Sequence, residues 1–467
     1  MREQQADLQL HDLRYLWECL ASGGEIPSGD PLEEGQEGAD KLNEVDIGGG
    51  DIPSPQGIGE LAERALECVL NDRKAAFIHH SGKSNTLRAS PNIESASLGP
   101  PRLPGQGAGR LGRMYRLIRP LLFHFDPEAV HELTLRGLAA LSHRPALLRA
   151  LTRHLVLPSG RLRVRCLGLD FPNPVGLAAG LDKNGVALPA WASLGFGSVE
   201  LGSVTAEGQP GNPRPRLYRL PEQRALINRM GFNNDGATAV ASRLARLRRA
   251  GLWPEIPVGI NIGKTMRVAT EEAAGDYRAA LEQLWPHADY LVVNISSPNT
   301  PGLTELQSAE HLGPLLQAVT GLRTALGAKP LLLKIAPDLE PGQVEELAAG
   351  AEEHGFDGFV ATNTTRSRPG VASSEPGGLS GRPLARASLQ ILKQLVAASD
   401  LPIISVGGVD SAADLFERLE AGASLVQVYT GLIYHGPGWA RNLNRELLSI
   451  LDARGIEDLE ALRSPRP

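Results

Sequence analysis

The stretch "YLVVNISSPNTPGL" (residues 290–303) starts as an uninterrupted apolar run and ends as a cluster of hydrogen-bonding side chains. Val292, Val293 and Ile295 suit a strand buried on both faces. Asn294, Ser296, Ser297, Asn299 and Thr300 crowd its end, with Pro298 and Pro301 stiffening the exit. Seven other runs share this form: "PVGLAAG" (174–180), "SVELGSV" (198–204), "VGINIG" (258–263), "PLLLKIA" (330–336), "GFVATNT" (358–364), "IISVGGV" (403–409) and "LVQVYTG" (425–431). Between most of them lie amphipathic stretches, among them 237–250, 342–354, 384–398 and 412–421. Near-continuous apolar strands alternating with helices signify a parallel sheet covered on its outer face. Eight such units predict a (β/α)8 TIM barrel. A doubly wound open sheet is the alternative, but no G-x-G-x-x-G turn opens the first helix.

In such barrels the active site lies at the C-terminal ends of the strands. There the sequence places Asp182 and Lys183, Ser203, Asn261, Asn294, Ser297 and Asn299, Lys334, Thr362 and Asn363, Gly407 and Gly408, and Tyr429 and Thr430. Asn, Ser and Gly are common wherever a strand stops. Eight polar ends with two lysines among them exceed what strand termination requires. The glycines and hydroxyl after the last two strands stand where barrels often bind phosphate through backbone N–H groups.

The chain has 467 residues, 42% of them hydrophobic and 21% charged, with a net charge of −6. That balance gives no sign of a nucleic-acid partner. The three cysteines, Cys19, Cys68 and Cys166, form no C-x-x-C pair, which argues against a disulfide framework or a zinc site. No apolar run approaches the roughly 18 residues of a spanning helix, and no signal-peptide core opens the chain. A soluble or membrane-peripheral protein is expected.

Charge is unevenly spread. Residues 1–113 carry 11 Lys/Arg and 18 Asp/Glu, a net of −7. Residues 114–165 carry 9 Arg and 3 acids, a net of +6. The acidic head (1–113) is rich in Gly, Pro and Ser, so disorder is the expectation, with short helices around 8–20 and 58–70. His79-His80 reads as a solvated loop, and "SGKS" (81–84) lacks the upstream glycine and strand of a phosphate loop. The neck (114–157) mixes Leu, Phe and Ile with arginines. Asp126 is a fitting N-cap, with Pro127 and Glu128 behind it, and Val130, Leu133, Leu138 and Leu141 recur at helical spacing. Pattern alone favours a helical hairpin packed on the barrel over a basic amphipathic pair on an anionic membrane.

Ten motifs then narrow the reading. "GLAAGLDKNG", "GFGSVELGSVT", "LINRMGFNN", "GINIGK", "NISSPNTPGL", "KIAPDL", "ATNTT", "GGLSGRPL", "VGGVDS" and "GASLVQVYTG" occur in order, and together they resemble dihydroorotate dehydrogenase. The resemblance is to the class 2, quinone-linked, FMN-containing branch and covers the chain from about Met114 onward. In class 2 the catalytic base is a serine in the "NISSPNTPG" loop, here Ser297, where class 1 uses cysteine. No cysteine follows Cys166. The resemblance also reverses the reading of the neck, since class 2 enzymes carry an N-terminal helical pair that docks on the membrane and admits quinone.

The resemblance implies oxidation of dihydroorotate to orotate, with loss of a proton from C5 and of a hydride from C6 to flavin N5. For FMN it implies Ala179, Gly180, Leu181, Asp182, Lys183, Ser203, Asn261, Asn294, Lys334, Thr362, Gly381, Gly408, Tyr429 and Thr430. Lys334 corresponds to the family lysine at the flavin N1/O2 edge. Ser203 and Thr430 stand where other members have Thr and Ser, and each retains a hydroxyl. For substrate it implies Lys183, Asn228, Arg229, Met230, Gly231, Phe232, Asn294, Asn299, Asn363 and Thr364, and for the quinone headgroup His131, Arg219 and Tyr429. On residue type alone, His131 equally suits a packing histidine. A serine needs an onward path for its proton near neutral pH, and Thr300, through an ordered water, is the expected relay. The expected setting is the bacterial inner membrane, peripheral, on the cytoplasmic side, with membrane lipid as a partner and a monomer as the state. Residues 1–113 match nothing in the family. Either they are a lineage-specific extension or Met114 is the start. Rival readings are a flavin barrel using fumarate or NAD, and a non-catalytic membrane-associated binding protein. The serine base and basic neck oppose the first, and the intact polar set opposes the second.

Overall fold

A computed structural model describes residues 110–463 apart from Pro301 and Pro341. The helices expected around 8–20 and 58–70, the His79-His80 pair, the "SGKS" stretch and nearly all of the acidic head lie outside the described residues. Eight parallel strands close on themselves: β1 (Val175–Leu177), β2 (Ser198–Val204), β3 (Val258–Ile262), β4 (Tyr290–Asn294), β5 (Leu331–Ile335), β6 (Gly358–Ala361), β7 (Ile403–Val406) and β8 (Leu425–Val428). Each pairs with its neighbours in sequence, and β8 pairs with β1 through Val426↔Val175. The (β/α)8 barrel is thus confirmed. Every residue of all eight strands is buried, which is why their sequences do not alternate.

The expected helices form at Ala237–Arg249, Gln343–Glu353, Ala385–Ala398 and Ala412–Glu420. Three small sheets among the described residues were not foreseen, the least of them the antiparallel pair of Glu207–Gln209 and Asn234–Gly236. A hairpin of Val164–Cys166 and Leu169–Phe171 reaches the first residue of β6 through Leu167, at the N-terminal end of the barrel. An antiparallel sheet of Leu217–Leu220, Ala225–Asn228 and Gly378–Gly381 stands beyond the strands' C-terminal ends. Its own small core holds Ala225, Ile227, Val371 and Leu379.

The neck consists of α1 (Arg110–His124), α2 (Pro127–Ser142) and α3 (Pro145–Leu155). Asp126 caps α2 as expected, accepting from the Ala129 N–H at 2.9 Å. Leu148, Leu151 and Leu155 bury α3 against the barrel. Tyr115 and Arg119 of α1 donate to the carbonyls of Ile433 and Tyr434, behind β8. The pattern on α2 is not a uniform core face, because Leu133 is exposed. With Leu117, Ile118, Leu121 and Phe125 it leaves an apolar surface on the neck. No described helix is long and apolar enough to cross a membrane.

One buried ion pair fixes α2 to the barrel. The Arg216 guanidinium donates to both oxygens of Glu128, with Nη2–Oε1 at 2.7 Å, and also to the carbonyls of Pro210 and Asn212. Burial alone would raise the Glu128 pKa, but the hydrogen bond and charge of Arg216, with Arg214 beyond, hold it below the usual range. Removing one member of a buried pair strands the other charge. Glu128→Ala should therefore cost about 3–5 kcal/mol, read as a lower urea midpoint and faster proteolysis within residues 110–155.

Candidate active site

Past the C-terminal ends of the strands lies a cavity of about 1170 Å³, counting the solvent at its mouth. Seven of the eight strand ends, all but that of β3, supply its wall directly or through the next residues, and the antiparallel sheet and α2 cover it. The loop after β4 brings in Ser297 and Asn299. Asn299 donates from its backbone N–H to Ser297 Oγ at 3.3 Å and from its amide to Asn228 Oδ1 at 3.2 Å. Asn363, after β6, donates to Asn294 Oδ1 at 3.1 Å. Asn294 in turn donates to Ser203 Oγ at 2.9 Å and to Asn261 Oδ1 at 3.1 Å. Four strand ends are thereby tied through short side chains, whose few rotatable bonds limit positional freedom.

Beneath them sits an acid that the motif reading passed over. Glu200 of β2 is fully buried and accepts from Gln427 Nε2 at 2.6 Å, Asn261 Nδ2 at 2.9 Å and Lys334 Nζ at 3.4 Å. A buried carboxylate requires such partners, and they come from β8, β3 and β5. Lys334, 5% exposed, is therefore a paired cation at the cavity wall rather than a surface lysine.

At the side facing α2, Lys183 and His131 both line the cavity. Burial, then the Arg216 charge, pulls the Lys183 pKa down to about 8, against opposing pulls from Glu128 and Asp182. Burial and then Lys183 push the His131 pKa down to about 4, so its ring is neutral at physiological pH. Burial raises the Tyr429 phenol far above its ordinary value.

Of the expected residues, Ala179, Gly180, Lys183, Ser203, Asn228, Met230, Gly231, Phe232, Asn294, Ser297, Asn299, Lys334, Thr362, Asn363, Thr364, Gly381, Gly408, Tyr429, Thr430 and His131 line this one cavity. Five others are held elsewhere. Leu181 is packed in the core. The Asp182 carboxylate turns back to accept from the Val186 and Ala187 N–H groups and the Trp191 indole, so its side chain shapes the turn after β1. Asn261 lies one layer below, between Ser203, Asn294 and Glu200. Arg229 reaches back to the Pro215 carbonyl. Arg219 donates to the Phe125 carbonyl at 2.7 Å and lies over the Phe123 ring, joining the antiparallel sheet to α1. The cavity also has lining residues that were not expected, among them Leu217, Leu226 and Ser380. They come from strands whose weak patterning gave no signal.

A closed parallel barrel with its polar groups gathered at the C-terminal face defines a (β/α)8 enzyme. Residues 161–451 match the family model described as dihydroorotate dehydrogenase. The chain is 50% identical over 349 residues to a protein of Chloroflexus aurantiacus named dihydroorotate dehydrogenase (quinone), covering 71% of this chain and 95% of that one. The protein of that name from Mycobacterium tuberculosis is 49% identical over 365 residues, covering 76% and 99%. Among solved structures, the dihydroorotate dehydrogenase of Eimeria tenella in complex with ferulenol superposes with a TM-score of 0.67 at 36% identity, covering 75% of this chain and 99% of that one. The chain belongs to the dihydroorotate dehydrogenase family, in its quinone-linked class 2 branch, whose members depend on a flavin.

Lys183 makes this site costly to the fold. Its pKa falls from 10.5 to about 8 on folding, so the folded chain binds fewer protons between those values and stability rises with pH across that window. Below pH 8 the penalty is fully present, about 3 kcal/mol. Lys183→Met should therefore stabilise the protein at pH 7 by up to that amount, with the gain vanishing near pH 10.5. Urea midpoints at the two pH values check the sign.

Proposed function

We propose that this protein oxidises (S)-dihydroorotate to orotate, with FMN as prosthetic group and a ubiquinone-type quinone as acceptor, in de novo pyrimidine synthesis. The observation that carries this reading is the convergence of Ser297, four asparagines and two buried lysines on one cavity. The residues present fit FMN. Ser203, Thr362, Ser380 and Thr430 offer hydroxyls around a wall of Gly180, Gly381, Gly407 and Gly408. At Gly180 the wall is packed so closely that a Cβ would stand 3.1 Å from the Tyr429 ring. Lys334 supplies a cation for the edge of a flat heteroaromatic ring. Held there, FMN would supply a hydride acceptor for substrate C6 and a two-electron donor for quinone.

The chain's own residues do the rest. Lys183, charged for the most part at pH 7, holds the substrate carboxylate. Asn228, Asn294, Asn299 and Asn363 each offer a donor and an acceptor to the cyclic ureide. Ser297 takes the C5 proton, and the Asn299 N–H directed at its Oγ helps orient the lone pair. Thr300, whose buried hydroxyl has no hydrogen-bond partner among the described residues, relays that proton outward through a water. The quinone headgroup sits towards α2, where the neutral His131 and Tyr429 meet the cavity and Arg219 anchors the end of α1. Quinone leaves as quinol after gaining two electrons and two protons.

The apolar residues exposed on α1 and α2, set in a segment of net charge +6, form the surface that rests on an anionic membrane. We place it on the cytoplasmic side of a bacterial inner membrane.

In the absence of any acceptor, dihydroorotate should bleach the yellow flavin band, and a soluble ubiquinone analogue should restore it while fumarate and NAD do not. Ser297→Ala should keep its flavin yet bleach at least about 100-fold more slowly, the scale of a lost general base. A near-normal rate would overturn the assignment. Replacing Leu117 and Phe125 together by Asp should weaken sedimentation with anionic-lipid vesicles and leave turnover with the soluble analogue intact.

A further inference from the structure

Arg418 lies on the inner side of the helix Ala412–Glu420, with 2% exposure. Its guanidinium donates to Ser405 Oγ at 2.8 Å, Ser388 Oγ at 2.9 Å, the Gly407 carbonyl at 2.5 Å and the Ala385 carbonyl at 3.3 Å. All of these are neutral oxygens. Among the described residues no carboxylate forms an ion pair with it. The acids that act on it, Asp414 and Glu417, share its helix, and the Asp414 carboxylate accepts the Asp410 N–H at 2.9 Å. Burial pulls the guanidinium down to about 10, which leaves it charged at neutral pH. A buried cation without a countercharge is expensive.

The position of Arg418 explains its retention. Gly407 and Gly408 line the cavity, whereas Arg418, Ser388 and Ala385 stand behind it. The Gly407 carbonyl accepts from both Arg418 and Ser388, the latter at 2.8 Å, and so points away from the cavity. The peptide joining Gly407 to Gly408 is trans, and in a trans peptide the C=O and the following N–H point in opposite directions. The Gly408 N–H is therefore aimed at the cavity. Neither glycine can carry a side chain. A Cβ on Gly408 would fall 2.3 Å from Ala385 Cα, and one on Gly407 would fall 2.9 Å from Leu384 Cδ2. Arg418 thus ties the end of β7 to the first turn of the helix Ala385–Ala398.

We propose that Arg418 is a positioning residue for phosphate recognition, which holds the Gly407–Gly408 peptide with its N–H directed at the phosphate of FMN and sets a buried positive charge behind it. This rests on the FMN reading of the cavity. FMN differs from riboflavin by the phosphate alone, so the preference between the two isolates the effect.

The full chain freed of flavin is titrated with FMN and with riboflavin, read by quenching of flavin fluorescence. Wild type should prefer FMN. Arg418→Gln should bind FMN about 10- to 100-fold more weakly, the scale of one charge-assisted hydrogen bond, with riboflavin affinity unchanged. Arg418→Lys, which keeps a cation near the same carbonyl, should retain most of the preference. Equal losses for both flavins in Arg418→Gln would mark a purely structural role and overturn the inference, as would an unchanged preference. If wild type itself bound the two equally, the phosphate reading of the cavity would fail, and this inference with it.

Discussion

A single buried carboxylate organises the inside of this barrel. Glu200 stands in β2 among apolar neighbours and meets donors from β3, β5 and β8. A charge so placed is tolerable only while every partner holds its position. The requirement runs both ways, because Lys334 would be equally costly without Glu200. The barrel interior is thus a polar cross-brace below the cavity and a hydrophobic packing problem elsewhere. Asn261 extends the brace upward to Ser203 and Asn294, and Asn294 passes it to Asn363. The groups that would meet a ligand are therefore the top layer of a network whose bottom layer holds the strands in register.

Electrostatics on the opposite wall follow a different logic. Lys183 has Arg216 as a near neighbour, and the counterweights, Glu128 and Asp182, are each committed elsewhere. The result is a cation that the folded chain holds at a loss, next to an imidazole kept neutral. Functional sites commonly accept such costs. The cavity therefore has one end with a paired charge and one end with an under-compensated charge, an asymmetry suited to an anionic substrate.

Much of this could be read from the sequence, for reasons that differ by residue. The eight barrel strands were visible because burial on both faces leaves each as a compact apolar run, as in "YLVVN" or "LLLKI". The strands Leu217–Leu220 and Gly378–Gly381 were not, since one is half-buried throughout and the other contains two glycines. Their pairing through Ala225–Asn228 also links positions some 150 residues apart. Motif matching found most of the cavity wall yet could not tell a side chain that faces it from one that turns away. Asp182 and Arg219 sit at the expected points of the chain but spend their hydrogen bonds on neighbouring backbone. Glu200 escaped notice for the converse reason, as a lone acid in an apolar run whose partners are remote in sequence. Leu133 fits a helical stripe but faces outward, because the spacing of a stripe does not say which stripe meets the core.

The clamp between Glu128 and Arg216 has a bearing on how an acceptor reaches the cavity. Arg216 is already bound to two carbonyls of its own loop, so raising α2 would leave a desolvated guanidinium beside Lys183 with nothing to answer it. The wall that carries His131 is consequently pinned to the barrel through Arg216, so the mouth of the cavity beside α2 has a braced frame. On the reading proposed above, an acceptor entering beside His131 would be admitted by its fit to that braced mouth, because lifting α2 would break the Glu128–Arg216 pair.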